Sequence, residues 1–259
     1  MNNSHDVSGL DWQTAFNSGT LGPSHRRSDG MAFVDDHFNR DDIGIVDAVF
    51  NEGVLRGLNF AANAIKATML NKPERKNGAW DEACEKAMKQ VTIWRNFLLA
   101  DNNISPADDE ALHSRTPFID ELDKKGGAVI MSNNTHDVSG LDWQTGNNFS
   151  ILEPSFRESD GMASVDDRFN RDDIGIVDAV FDEGFLRGLN FAANAIKATM
   201  LDKPKRKNVA WDEACEKAME YVTHWRDFLL AQNNIEPTDD EALHSSTPFI
   251  DELGKKGAL

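Results

Sequence analysis

Apolar residues recur every three or four positions along two stretches of this chain, and each stretch occurs twice. From about Asp41 to Leu70 the series Ile43, Val46, Phe50, Val54, Leu58, Ala61, Ile65 and Met69 predicts a long helix with one buried face. Asn39 is placed to cap it, with Asp42 three residues on as the returning half of a capping box, and Pro73 marks its end. Beside the apolar face runs a strip of small residues, Gly53, Gly57, Ala61 and Ala64. A glycine inside a helix costs about 1 kcal/mol against alanine, so the strip implies a close crossing by another helix.

The second stretch, from about Trp80 to Ala100, alternates spacings of four and three through Trp80, Cys84, Ala87, Val91, Trp94 and Leu98. That pattern keeps one seam facing a neighbour. Shorter elements follow. Ser105-Pro106 and Thr116-Pro117 each put a capping hydroxyl before a proline at the first helical position, the latter opening PFIDELDKK, with Gly126 as a stop. A short helix is expected around Met31–Phe38, and residues 1–28 read as irregular. No segment alternates with the period of two that a strand requires. The expected fold is all-α: two long antiparallel helices with short capping helices and an irregular N-terminal segment.

This pattern is a tandem duplication. Shifted by 131 positions without a gap, residues 132–259 differ from residues 1–128 at 28 pairs, leaving 100 of 128 identical. The expected organisation is therefore one helical repeat over 1–130 and a second over 131–259, each long enough to bury a core and packed on the other. The differences are informative. On the second helix, positions 89, 90, 93 and 96 have changed while all six seam residues are kept. Six of the eight positions 15–22, just after the decamer HDVSGLDWQT, also differ, the densest divergence in the chain.

Charge narrows the partners. The net charge is −17, and it divides into −6 for residues 1–130 (14 bases, 20 acids) and −11 for residues 131–259 (13 bases, 24 acids). Direct binding to nucleic acid, which needs clustered Lys and Arg, is not expected. A basic or nucleic-acid-binding protein is the partner such a surface would attract. No apolar run spans a membrane, the N-terminal MNNSHDVSG is polar and lacks the apolar stretch of a secretory leader, and each repeat has one cysteine (Cys84, Cys215), so a cytoplasmic protein is expected.

Motifs that would carry chemistry are not found. VDD at Val34–Asp36 and RDD at Arg40–Asp42 lack the glycine and glutamate of a calcium loop, and His5 and His113 have no companion at ligand spacing. Glu82 and Glu85 resemble the carboxylate pairs that hold magnesium in all-α phosphohydrolases, without a second pair to complete the site. There is no nucleophile elbow, phosphate loop or dinucleotide fingerprint. No catalytic residue, metal or cofactor is expected.

The candidate binding residues lie on the first long helix. Glu52, Arg56, Asn59, Asn63 and Lys66 are spaced 4, 3, 4 and 3, and repeat 2 keeps each as Glu183, Arg187, Asn190, Asn194 and Lys197. They project in one arc opposite the apolar face. The stripe is expected either to meet a partner or to pack beneath the N-terminal segment or between the repeats. Trp12 and its copy Trp143, in an otherwise polar segment, either plug their own repeats or anchor a partner. Asp47 and Asp178 point to the apolar side, where an ion pair with Arg40 or Arg95, or their counterparts, would be needed.

Three functions are compatible with these features. The first is a non-enzymatic acidic module that inhibits or sequesters a basic protein, as anti-defence and immunity proteins do, with two copies giving bivalent or pseudo-two-fold binding. The second is a structural or assembly subunit descended from a fused homodimer. The third is a helical enzyme or small-molecule binder.

Overall fold

The computed structural model describes residues 34, 37–74, 78–105, 117–119, 169–204, 209–236 and 247–255. The long elements among them are α1 (Arg40–Leu70), α2 (Gly78–Asp101), α3 (Arg171–Leu201), α4 (Val209–Gln232) and the shorter α5 (Pro248–Lys255). The all-helical expectation holds, with two similar helical units. The short helix expected around Met31–Phe38 falls mostly outside the described residues, as do Trp12, Trp143, His5, His113, Gly126 and the Ser105-Pro106 helix.

Helix ends follow the local chemistry. Asp42 N donates to Asn39 Oδ1 at 3.1 Å while the Asn39 amide donates back to the Asp42 carboxylate, and Asn170 and Asp173 repeat the exchange. This reciprocal cap satisfies an amide that the first turn would otherwise leave unpaired. At the far end of α2, Asn103 adopts φ 61° and Ile104 N reaches back to Leu99 O at 2.9 Å. Asn234 (φ 58°) and Ile235 do the same after α4. This is a Schellman stop made with asparagine, a residue that tolerates the left-handed region. α5 begins at Pro248, behind the buried Thr247, as the Thr-Pro signal anticipates.

Within each repeat the two long helices run antiparallel. Trp80, at the start of α2, donates its indole N–H to Thr68 O near the end of α1 at 3.0 Å, and Trp211 does so to Thr199 O at 3.0 Å. The end of α2 returns to the first half of α1, where Asn51 meets Asn102 at 3.4 Å. The seam residues of α2 and α4 are all buried, including Trp80, Cys84, Val91, Trp94 and Leu98 and their copies.

Between repeats, α1 and α3 make the most extensive contact in the molecule. A side-chain carbon at Gly53 would lie 2.2 Å from Phe181 O, and one at Gly57 would lie 2.3 Å from Phe185 O. The reverse contacts match: Gly184 against Phe50 O at 2.1 Å and Gly188 against Val54 O at 2.3 Å. Partner positions rise together along both helices, so α1 and α3 run parallel. Gly57 and Gly188 occupy equivalent positions and face each other, as do Phe38 and Phe169, whose rings lie 5.4 Å apart. A pseudo-two-fold axis therefore runs along the helix pair. The buried residues of both repeats form one continuous hydrophobic cluster, with α2 and α4 flanking the central pair and touching each other.

Candidate functional site

The glycine strip supplies the close crossing that its helix propensity cost implied. Backbone meets backbone where four glycines interlock, and no residue with a Cβ fits there without displacement of main chain. Gly44 and Gly175, on the same two helices, have nothing within 4 Å of a built Cβ, so closeness belongs to the crossing and not to the helices as a whole.

The polar stripe is divided by burial. Glu52 and Glu183 are 5% and 4% exposed, and Asn59 and Asn190 are 2% and 5% exposed. Arg56, Asn63, Arg187, Asn194 and Lys197 are half-buried, and Lys66 is exposed. The arc therefore does not form one open face, because another part of each repeat covers its first turn. Glu52 Oε1 accepts the amides of Phe118 and Ile119 at 2.6 and 3.3 Å, and Glu183 Oε1 accepts those of Phe249 and Ile250 at 2.7 and 3.3 Å. Each glutamate holds the start of a closing helix, where unpaired N–H groups and the positive helix end favour an acceptor. Burial nevertheless dominates for Glu183 and pushes its carboxyl up to about 8; the two amides and Arg187 pull the other way, and Asp251 adds to the rise. Sequence reasoning left the stripe either open to a partner or packed beneath the N-terminal segment or between the repeats, and it did not anticipate that the Thr-Pro helix start is what meets each glutamate. The available signal was the apolar pair after each Thr-Pro, Phe118-Ile119 and Phe249-Ile250, which needs something on α1 or α3 to pack on.

Asp47 and Asp178 were expected as buried acids, yet both are half-exposed. The rotation of α1 that buries Val46 and Phe50 leaves position 47 beside the core, not inside it.

The cysteines are buried. Burial pushes the Cys84 thiol up to about 11, with Asp81 and Glu85 adding to the rise. It pushes Cys215 up to about 12, with Cys84 and then Asp212 and Glu216 contributing. A thiol held protonated at neutral pH is a weak nucleophile, and both side chains are buried members of the hydrophobic cluster. Glu82 and Glu85 are exposed, and no group of three or more His, Cys, Asp or Glu among the described residues is arranged to hold a metal. No described helix is long and apolar enough to cross a membrane.

Departures from the pseudo-symmetry cluster around a few substitutions. Phe185 replaces the valine of position 54, and its ring sits 5.3 Å from Phe60. Phe60 then meets Trp225 edge-on at 74°, whereas its copy Phe191 lies nearly flat on Trp94 at 22°. Lys86 bridges the repeats, reaching Asp202 at 2.5 Å with its ammonium 5.7 Å from the Trp211 ring. The equivalent Lys217 faces Asn71 in sequence terms and turns instead to Glu220 at 2.7 Å, over the Tyr221 ring. His37 pairs with Asp173 at 2.9 Å across the axis. Every one of these contacts joins the two repeats except the Lys217 group, which is confined to α4.

Compared with known proteins, the chain matches no family model, no curated protein and no solved structure.

Proposed function

We propose that this chain is a non-enzymatic structural or assembly subunit, a homodimer made permanent by fusion. The observation that carries this reading is the reciprocal glycine crossing, in which position 53 of each repeat meets position 50 of the other and position 57 meets position 54. Such an exchange is the signature of an isologous two-fold interface, here written into one chain. An isolated repeat would expose the whole α1 face that now contacts α3. Residues 1–130 expressed alone should therefore either self-associate into a dimer or fail to fold, as read by light scattering and circular dichroism. A stable, folded monomer of that fragment would count against the proposal.

A second reading is favoured by the charge of −17. On it, the fused body is an acidic module that inhibits or sequesters a basic or nucleic-acid-binding protein, offering two related surfaces to a target with two-fold symmetry. Tethering makes the second contact intramolecular, with an effective concentration that can reach the mM range for short linkers. The parts of the stripe left open to water (Arg56, Asn63, Lys66, Arg187, Asn194 and Lys197), together with Trp12 and Trp143, are the residues to substitute in a capture experiment. Affinity should fall steeply between low and physiological salt. A tight complex indifferent to salt sinks this version.

A further inference from the structure

Two contacts cross the pseudo-two-fold axis in one direction only. Phe185 of repeat 2 sets its ring 5.3 Å from Phe60 of repeat 1 at 72°. Lys86 of repeat 1 reaches the Asp202 carboxylate of repeat 2 and also donates to Asp202 O at 3.1 Å. The mirror images are missing because repeat 1 holds Val54 and Asn71 at the equivalent positions. Val54 and Phe185 are both fully buried, their backbones packed against Gly184 and Gly188 and against Gly53 and Gly57 respectively. The crossing thus houses a phenylalanine on one side of the axis where it houses a valine on the other.

The neighbouring rings record how the larger side chain is accommodated. Phe60, beside Phe185, stands edge-on to Trp225 at 74° and is half-buried. Its copy Phe191, with no phenylalanine at position 54 to meet, lies flat on Trp94 at 22° and is 8% exposed. Aromatic pairs favour both arrangements. Room for a phenylalanine at position 54 is therefore opened by a ring orientation that the molecule already displays on its other side.

We infer that the α3 face of repeat 2 is a self-complementary interaction surface whose better-fitting partner is a second copy of itself, and that Phe185 sets this preference. Repeat 1, lacking the phenylalanine, is the weaker of the two partners. The inference rests on the fused-dimer reading, since it takes the repeats to pair as an isologous dimer does. Two repeat 2 faces would set a Phe185 against a Phe191 ring on both sides of the axis. The fused chain has one such contact, and two repeat 1 faces would have none. An aromatic pair in this geometry is worth about two- to ten-fold in an equilibrium constant. Asp202 acts in the same direction but adds little, because its carboxylate is 77% exposed.

Urea unfolding of the full chain tests this by giving repeat 1 the repeat 2 residue. Val54→Phe should raise the folding equilibrium constant by about two- to ten-fold, although enlarging a fully buried side chain ordinarily lowers it. Val49→Phe, at an equally buried valine whose equivalent Val180 is unchanged, supplies the ordinary case and should lower it. Phe185→Val should lower it too. Adding Val54→Phe to that variant should bring it back near the wild type, with the contact crossing the axis the other way. The inference is overturned if Val54→Phe lowers stability as Val49→Phe does, or if it fails to restore Phe185→Val. Either failure within a single transition overturns the inference alone; two resolved transitions, with only the repeat 1 transition displaced, overturn the fused-dimer reading together with it.

Discussion

The central helix pair and the outer helices have diverged at different rates since the duplication. α1 and α3 differ at two of 31 positions, Asn51/Asp182 and Val54/Phe185, while α2 and α4 differ at six of 24. The difference lies in what each surface touches. Where the four glycines cross, main chain packs on main chain and a Cβ does not fit, although the neighbouring position 54 accepts the larger Phe185. On the outer faces of α2 and α4 a substitution meets water or a flexible side chain, and changes such as Lys89/Glu220 and Ile93/His224 are absorbed locally.

Substitution experiments can break this contrast if it is wrong. The largest effect is expected at Phe185, which is fully buried against Phe60. Phe185→Ala should cost about 3–5 kcal/mol in urea unfolding, whereas Phe97→Ala, at a ring 43% exposed, should cost well under half of that. Similar losses at the two sites would remove the distinction between the central helix pair and the outer faces. Next comes the crossing itself. Gly57→Ala forces a methyl onto Phe185 O and should cost about 3 kcal/mol. Gly44→Ala, with open space around it, should instead gain about 0.5–1 kcal/mol from helix propensity. Opposite signs from one substitution type on one helix are the diagnostic outcome.

A smaller effect is carried by pH. Because burial raises Glu183 from 4.5 to about 8 in the folded state, the folded protein holds that proton more tightly than the unfolded chain. The group's contribution to stability is complete below about pH 4.5 and is lost progressively as pH rises toward about 8. Unfolding midpoints measured from pH 5 to 8 should therefore decline more steeply in the wild type than in Glu183→Gln, which has no proton to lose. Parallel pH profiles for the two proteins would contradict the clasp's titration. The smallest effect belongs to the Lys86–Asp202 bridge, whose carboxylate is 77% exposed. Asp202→Asn, the residue repeat 1 carries at position 71, should shift stability by less than about 1 kcal/mol.

Much of the architecture was legible in the sequence. The α2 seam from Trp80 to Leu98 is a strict four-three alternation, and every member is buried as its spacing requires. The Asn39 cap and the Thr-Pro helix start were readable because capping depends on residues three positions apart. The glycine strip announced a close crossing, since its cost within a helix needs a compensating contact. What sequence could not fix was the direction of that contact: parallel pairing of α1 with α3 is a long-range choice, set by how two equivalent faces meet about an axis. The stripe was harder still. Its spacing placed Glu52 and Asn59 on one arc, but Glu52 is met by a segment 66 residues away whose amides find its Oε1, a long-range contact that spacing does not encode. The asparagine helix stops at Asn103 and Asn234 could have been anticipated from the paired asparagines, yet glycine is the more familiar signal.

The central claim is that two repeats form one body, held by a crossing that neither completes alone. Differential scanning calorimetry of the full chain tests this most directly. The account predicts a single transition in which calorimetric and van't Hoff enthalpies agree, because opening either repeat uncovers the α1–α3 face of both. Two resolved transitions, each assignable to one repeat, would contradict it.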